Sequence, residues 1–285
     1  MDDVTGEQLY VETWFFCSLY TMWTRNVWMC IALGLALYLV FTGAQHSNFR
    51  ASSDLVIVTS HWNEDLGWLK NAGVPVEVCD KPGAKQHPLS STGKCNLPKN
   101  KGREASSYIS YILNNWDTLP RRIAFIHGHE TADHQNRPEG LLELIKRANP
   151  TLDYVSLNDS WHTLCLGEQC PKERKKDYYT DNPAHILLKK HWKTHFQPYL
   201  NIEFPYWIQS ERSAQFVVSH AAIKRYPKEA YEKWFDLLMS AGDGPTDDYF
   251  SGMVFEFVWH MLFGNHKPVM TKTETSNWFL DQETQ

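Results

Sequence analysis

Cysteine is scarce, 6 in 285 residues, and no two cysteines stand three positions apart; the paired CxxC spacing of a structural zinc site is therefore missing. Positive charge is in short supply too. The 28 Lys and Arg against 33 Asp and Glu leave a formal charge of -5, which argues against the basic face of a dedicated nucleic-acid binder. The one dense basic run, Lys172 to Lys176, reads as a solvated loop. No internal repeat appears. Charge disappears altogether from Val27 to Ala44, eighteen residues in a row that as a helix span roughly 27 Å, near the thickness of a thin secretory-pathway bilayer.

What is present is globular material, 42% apolar and 14% aromatic with 12 Trp. Trp14, Phe15, Phe16, Tyr20, Trp23 and Trp28 crowd the amino-terminal side of the uncharged run, as an interfacial belt would. Residues 1–26 are then a tail, 27–44 a transmembrane anchor and 45–53 a linker. A cleaved signal peptide ending near Thr42-Gly43-Ala44 is the rival, but the 26 residues before the apolar run are long and acidic for one. Arg25 on one side is answered by Arg50 on the other, so charge hardly encodes orientation. Cys79 with Cys95 and Cys165 with Cys170 fit two disulfides in an oxidising lumen, and Asn158-Asp159-Ser160 would be a glycosylation acceptor there. Reduced core cysteines and a chance sequon are the alternatives. Together these features suggest a single-pass type II protein of the Golgi or endoplasmic reticulum with a lumenal folded part.

From residue 54 to 270 the pattern is α/β. Asp54 to Ser60 is an apolar, β-branched run that predicts a buried strand emptying into His61-Trp62-Asn63-Glu64-Asp65. Val74 to Cys79 predicts a second strand, Lys81 to Lys101 a loop, and Tyr108, Ile109, Ile112 and Leu113 recur at helical spacing. Ile123 to Ile126 predicts a third strand, ending abruptly in His127-Gly128-His129. Helices are expected over 141–147, 221–226, 228–240 and 249–263, and further strands over 154–157 and 213–219. Residues 271–285 are read as a tail. This order favours a mainly parallel, Rossmann-like sheet flanked by helices, with ligand chemistry at the carboxyl ends of its strands.

Two residues apart, His127 and His129 face one side and could converge on an ion or a substrate, with Glu130, Asp133 or His134 completing the set; imidazole with carboxylate suits Mn²⁺ or Zn²⁺. The bland alternative is hydrogen bonding to loop backbone. Glu256 is the lone carboxylate of an otherwise apolar helix, where burial would raise its pKa as a general base requires. His260, four residues on, would share its face. A structural ion pair with Arg103 or Arg212 is the rival role for Glu256. Gln215 sits inside an apolar strand, either touching an acceptor or satisfying a backbone group. Asp247 and Asp248 read as helix caps. Trp62, Trp161, Trp192, Trp207 and Trp259 invite a carbohydrate reading, though most are expected in the core.

Taken in order, several segments resemble the domain of unknown function 3431 family: Asn63-Glu64-Asp65-Leu66 with Trp68-Leu69; Asn100-x-Gly102-Arg103-Glu104-Ala105; Leu119-Pro120 before Phe125-Ile126-His127-Gly128; Ala214-Gln215-Phe216-x-Val218-Ser219; and Phe255-Glu256-x-x-Trp259-His260-x-x-Phe263-Gly264. The layout is similar to that of a GT-A glycosyltransferase. That likeness implies a hexosyl- or pentosyltransferase that takes a sugar from a nucleotide-sugar donor to a glycan or glycoprotein acceptor, with inversion if Glu256 is the base. It implies a donor site around Asn63, Asp65, Arg103, His127 and His129, with Gln215 and His260 beside it and Arg103 neutralising phosphate. Where GT-A enzymes carry an Asp-x-Asp metal motif this chain has His127-Gly128-His129, so any Mn²⁺ would rest on His127, His129 and His134. A metal-dependent hydrolase on that histidine cluster and a non-catalytic glycan-binding membrane protein are the alternatives.

Overall fold

The computed structural model describes residues 54–90, 93–131, 135, 137–169, 179–180, 182–211, 214–240 and 245–280. The expected tail, anchor and linker, 1–53, lie outside these residues, as does His134. No helix among the described residues is long and apolar enough to cross a membrane.

A central sheet of five strands is built from β1 (Leu55–His61), β2 (Val76–Asp80), β3 (Arg122–Ile126), β4 (Tyr154–Ser156) and β8 (Phe216–Ser219), in the order β2-β1-β3-β8-β4. β1 pairs in parallel with β2 and β3, while β8 runs antiparallel to both β3 and β4. The sheet is thus mostly parallel, with β8 reversed. Ile57, Val58, Ile123, Phe125, Phe216 and Val218 are all fully buried, which explains why these strands read as unbroken apolar runs rather than as alternation.

Helices flank the sheet. α1 (Arg103–Asn114) buries its whole length from Ala105 to Ile112, and its Tyr108 ring packs 4.6 Å from Phe125. From Phe125 a chain of aromatic rings continues through Phe216 and Trp259 to Phe263 at 5.3–5.5 Å spacings. It joins β3, β8 and the last helix into one core. α2 (Leu141–Arg147) precedes β4, and α3 (Pro183–His191) runs through a π-helical turn into α4 (Gln197–Leu200). After β8 come α5 (His220–Ile223), α6 (Lys228–Ser240), α7 (Pro245–Glu256) and α8 (Trp259–Phe263).

Three expectations change. The helix expected over 249–263 is two helices, because Phe257 and Val258 bond back only three residues, to Val254 and Phe255. A second, three-stranded sheet, unforeseen in sequence, joins β5 (Trp161–Cys165), β6 (Tyr179–Thr180) and β7 (Trp207–Glu211) in the order β6-β5-β7. Residues 271–280, expected as tail, dock instead: Leu280 N–H donates to Arg147 O at 2.9 Å, Trp278 O accepts from Asn149, and Trp278 is 4% exposed.

β2 lies on one side of β1 and β3 on the other, so the winding reverses between β1 and β3. In open α/β sheets ligands bind at such a reversal, outside the carboxyl ends of the strands. Cys79 and Cys95 form a disulfide that pins the loop between β2 and α1, and Cys165 is disulfide-bonded as well. Asn158 is fully buried, its amide donating to Gln215 O, so the folded chain does not present that sequon to solvent.

Candidate functional site at the carboxyl edge of the sheet

The turn after β1 is held from both sides. Asn63 takes a left-handed φ of 66° and accepts from Lys85 N–H at 2.9 Å; Asp65 Oδ1 accepts from Gly67 N–H at 2.8 Å. Both are exposed. Glu64 lies beneath Gly128, where a Cβ would meet its carboxylate at 3.1 Å, and Trp68 Nε1 donates to Gly128 O at 3.3 Å. These contacts join the two loops that flank the reversal.

Sequence reasoning missed a pair at the neighbouring strand ends. His61 and Asp80 are the last residues of β1 and β2 and stand in register; His61 Nδ1 lies 2.6 Å from Asp80 Oδ1, with His61 only 3% exposed. Asp80 Oδ2 also accepts from His87 N–H at 3.3 Å. A cavity of about 280 Å³ opens beside Asp80, with Gln86, Ser90 and Cys95 in its wall. The signal available was the polar residue closing each of two adjacent apolar strands.

At the start of α1, Gly102 has φ +72° and a Cβ there would fall 2.9 Å from Leu238, so glycine alone fits both the backbone and the space. Its N–H donates to Asp248 Oδ1 at 2.5 Å; Asp248 lies within α7 and holds the neighbouring helix start rather than its own. Arg103 also has a positive φ, 49°, a strain of about 1 kcal/mol for a residue with a side chain. Its stem lies on Gly252, where a Cβ would come within 2.8 Å of Arg103 Cγ. Its guanidinium sits 4.9 Å from the Tyr249 ring centroid and 3.7 Å from Glu104. Lys81 Nζ donates to Arg103 O and to Ser106 Oγ. Burial lowers the Lys81 ammonium to about 8, although Glu104 and Asp248 oppose it. Burial also pushes the Glu104 carboxyl up, but His127, Arg103 and Lys81 outweigh it and leave the group below its usual range. Two cations, an ionised carboxylate and an imidazole therefore meet at the helix start.

His127 follows β3 directly and is 8% exposed. Its N–H donates to Gln215 Oε1 at 3.2 Å, and its ring is 5.7 Å from that of His129, which is exposed. Gln215 is fully buried and bonds Asn158 Oδ1 at 3.2 Å, so it braces the edge from below. Glu256, half-buried at the end of α7, adds with Glu104 to the burial that raises the Tyr108 phenol well above its ordinary value. Arg103 turns to Glu104 and Tyr249, and Arg212 lies outside the described residues. His260 lies in α8, after α7 has ended; its imidazole is 2% exposed, close to Pro268 O at 3.3 Å and lowered by burial to about 4. Among the described residues no three His, Cys, Asp or Glu side chains are grouped to hold a metal ion.

The sequence also gave no warning of Glu211. It ends β7 with 5% of its surface exposed. Burial pushes its carboxyl up to about 7, with Asp159 adding to the rise and Arg137 pulling against it.

The family described as Protein of unknown function (DUF3431) matches residues 56–278, from β1 to the docked carboxyl-terminal segment. No curated protein matches the chain.

Proposed function

The chain belongs to the DUF3431 family, and from that premise we propose that it is a glycosyltransferase of GT-A type, moving a sugar from a nucleotide-sugar donor to a glycan acceptor with inversion. The observation that carries this reading is the meeting of Lys81, Arg103 and the first turn of α1 at the winding reversal. A twelve-residue helix directs the positive end of its dipole there. The guanidinium offers paired donors to phosphate oxygens. Strain at Arg103 supports the same reading, since a backbone held in a costly conformation is a common mark of a working site.

In the proposed reaction the acceptor hydroxyl attacks the anomeric carbon as the bond from that carbon to the phosphate oxygen breaks. The nucleoside diphosphate leaves towards Arg103 and Lys81, and the hydroxyl proton passes to Glu256. Asn63 and Asp65 border the donor from the β1 turn, and His127 and His129 border it from β3. His127 and His129 are two nitrogen donors, short of a complete ligand set among the described residues, so no step is routed through a metal. The Cys79–Cys95 disulfide supports an oxidising lumen, with residues 27–44 as the membrane anchor of a type II protein.

Turnover of Glu256→Gln tests the assignment. Transfer falls at least a thousandfold while donor affinity stays within twofold; transfer at the wild-type rate removes Glu256 from the chemistry. Release of free sugar from the donor without any acceptor would identify a hydrolase instead.

A further inference from the structure

A cavity of about 480 Å³ opens between α3, α6 and α7, away from the strand ends. On α3 it is faced by Ile186, Leu187, Lys190 and His191, which recur at the spacing of one helical stripe. The apolar half of that stripe is left uncovered: Ile186 is 52% exposed and Leu187 half-buried. Across from it stand Leu237 of α6 and Phe250 and Val254 of α7. Leu237 and Phe250 are again only half-buried, so three helices offer accessible apolar surface to one space. Its volume falls in the range of small-molecule sites, roughly 300–1,000 Å³, which are mostly apolar with a few placed polar groups.

The wall is charged with one sign. Lys190 and His191 lie side by side at one end, and none of the described residues that line the cavity carries a carboxylate. The helix does not expose its carbonyl end there, because Trp192–Phe196 continue it as a π-helical turn; single π turns of this kind recur at functional sites. Burial lowers the His191 imidazole, and His195 and Lys190 lower it further, so the neutral ring keeps one N–H to donate. One compact ammonium beside one neutral donor suits a singly charged oxyanion. From the first residue of α3, Pro183, to His191 the helix runs roughly 12 Å, room for an alkyl chain of medium length laid along it. α7 stands between this cavity and the proposed donor site, since Phe250 and Val254 face the cavity while Gly252 seats Arg103.

We propose that this cavity binds an aliphatic monocarboxylate, its alkyl chain lying between Ile186 and Leu187 on one side and Leu237 and Val254 on the other, and its carboxylate accepting from Lys190 Nζ and the His191 ring. The site is separate from the proposed donor site and does not rest on the transferase reading.

The test uses the full chain in phosphatidylcholine nanodiscs, irradiated with a decanoate that carries a diazirine in mid-chain, with the labelled peptides read by mass spectrometry. Label is expected on residues 183–191 and 250–254. Excess decanoate displaces it, hexanoate does so about a hundredfold less well for want of four buried methylenes, and decyltrimethylammonium, equal in chain and opposite in charge, leaves it in place. Lys190→Glu lowers the displaceable label at least tenfold, and Leu237→Trp, which fills the cavity, abolishes it. No displaceable label on these helices, as when another segment of the chain or a second copy covers the cavity, overturns the proposal. Equal displacement by decanoate and decyltrimethylammonium, or wild-type labelling of Lys190→Glu, overturns it as well; should Leu237→Trp fail to fold, Lys190→Glu decides.

Discussion

Replacing Glu211 by Gln should change how stability depends on pH. In the folded chain burial holds the carboxyl at about 7, against an ordinary 4.5. Between these values the folded protein keeps a proton that the unfolded chain has released, so stability falls as pH rises through the window. At 1.36 kcal/mol per pKa unit the full cost of ionising Glu211 in place is about 3 kcal/mol. Gln keeps the shape and cannot ionise, so the variant escapes that cost. Relative to wild type it is therefore about 3 kcal/mol more stable at pH 8 than at pH 4.5, whatever offset the two proteins share. Urea unfolding followed by tryptophan fluorescence at a series of pH values reads the difference directly. A difference that stays flat between pH 4.5 and 8 would refute the buried, poorly compensated carboxyl. A difference of the opposite sign would mean that Arg137 pairs with it far more tightly than 3.7 Å allows.

Two further substitutions probe the frame around the proposed donor site. Gly252→Ala puts a methyl where Arg103 Cγ lies 2.8 Å away, so the guanidinium is displaced from Tyr249; nucleotide-sugar affinity should drop at least tenfold with circular dichroism unchanged, and unaltered affinity would show that Arg103 does not need this seat. Replacing Cys79 and Cys95 together by Ser opens a loop of sequence separation 16. That should cost about 3 kcal/mol in chemical unfolding and speed proteolysis between β2 and α1; a loss below about 1 kcal/mol would mean that packing alone holds the loop.

The central sheet was legible because its strands are buried on both faces. The runs from Leu55 to Ser60 and from Ile123 to Ile126 carry no polar alternation to confuse with a surface element, and the glycine before Arg103 marked the start of α1. The second sheet was hidden for the opposite reason. Trp161–Cys165 and Trp207–Glu211 mix polar and apolar residues over five positions each, and their pairing partners are distant in the chain. The break at Phe257 and Val258 was invisible because a segment apolar on all sides has no face whose phase could reveal it. Arg103 and His127 could be named from their places after glycine and after a strand. Glu211 could not, because burial and the reach of Arg137 are properties of the folded chain.

We propose that the winding reversal between β1 and β3 receives a nucleotide sugar through Arg103 and Lys81. Thermal unfolding of the full chain against a panel of uridine, guanosine and cytidine nucleotide sugars, each with and without Mn²⁺, tests it most directly. A ligand at about 100 times its Kd stabilises by about 2.7 kcal/mol, which for a domain of this size raises Tm by about 5 to 10 °C. Such a rise is expected for one nucleotide class in wild type, with its disappearance in Arg103→Ala; no rise with any member of the panel, or the same rise in Arg103→Ala, would rule out donor binding at this place.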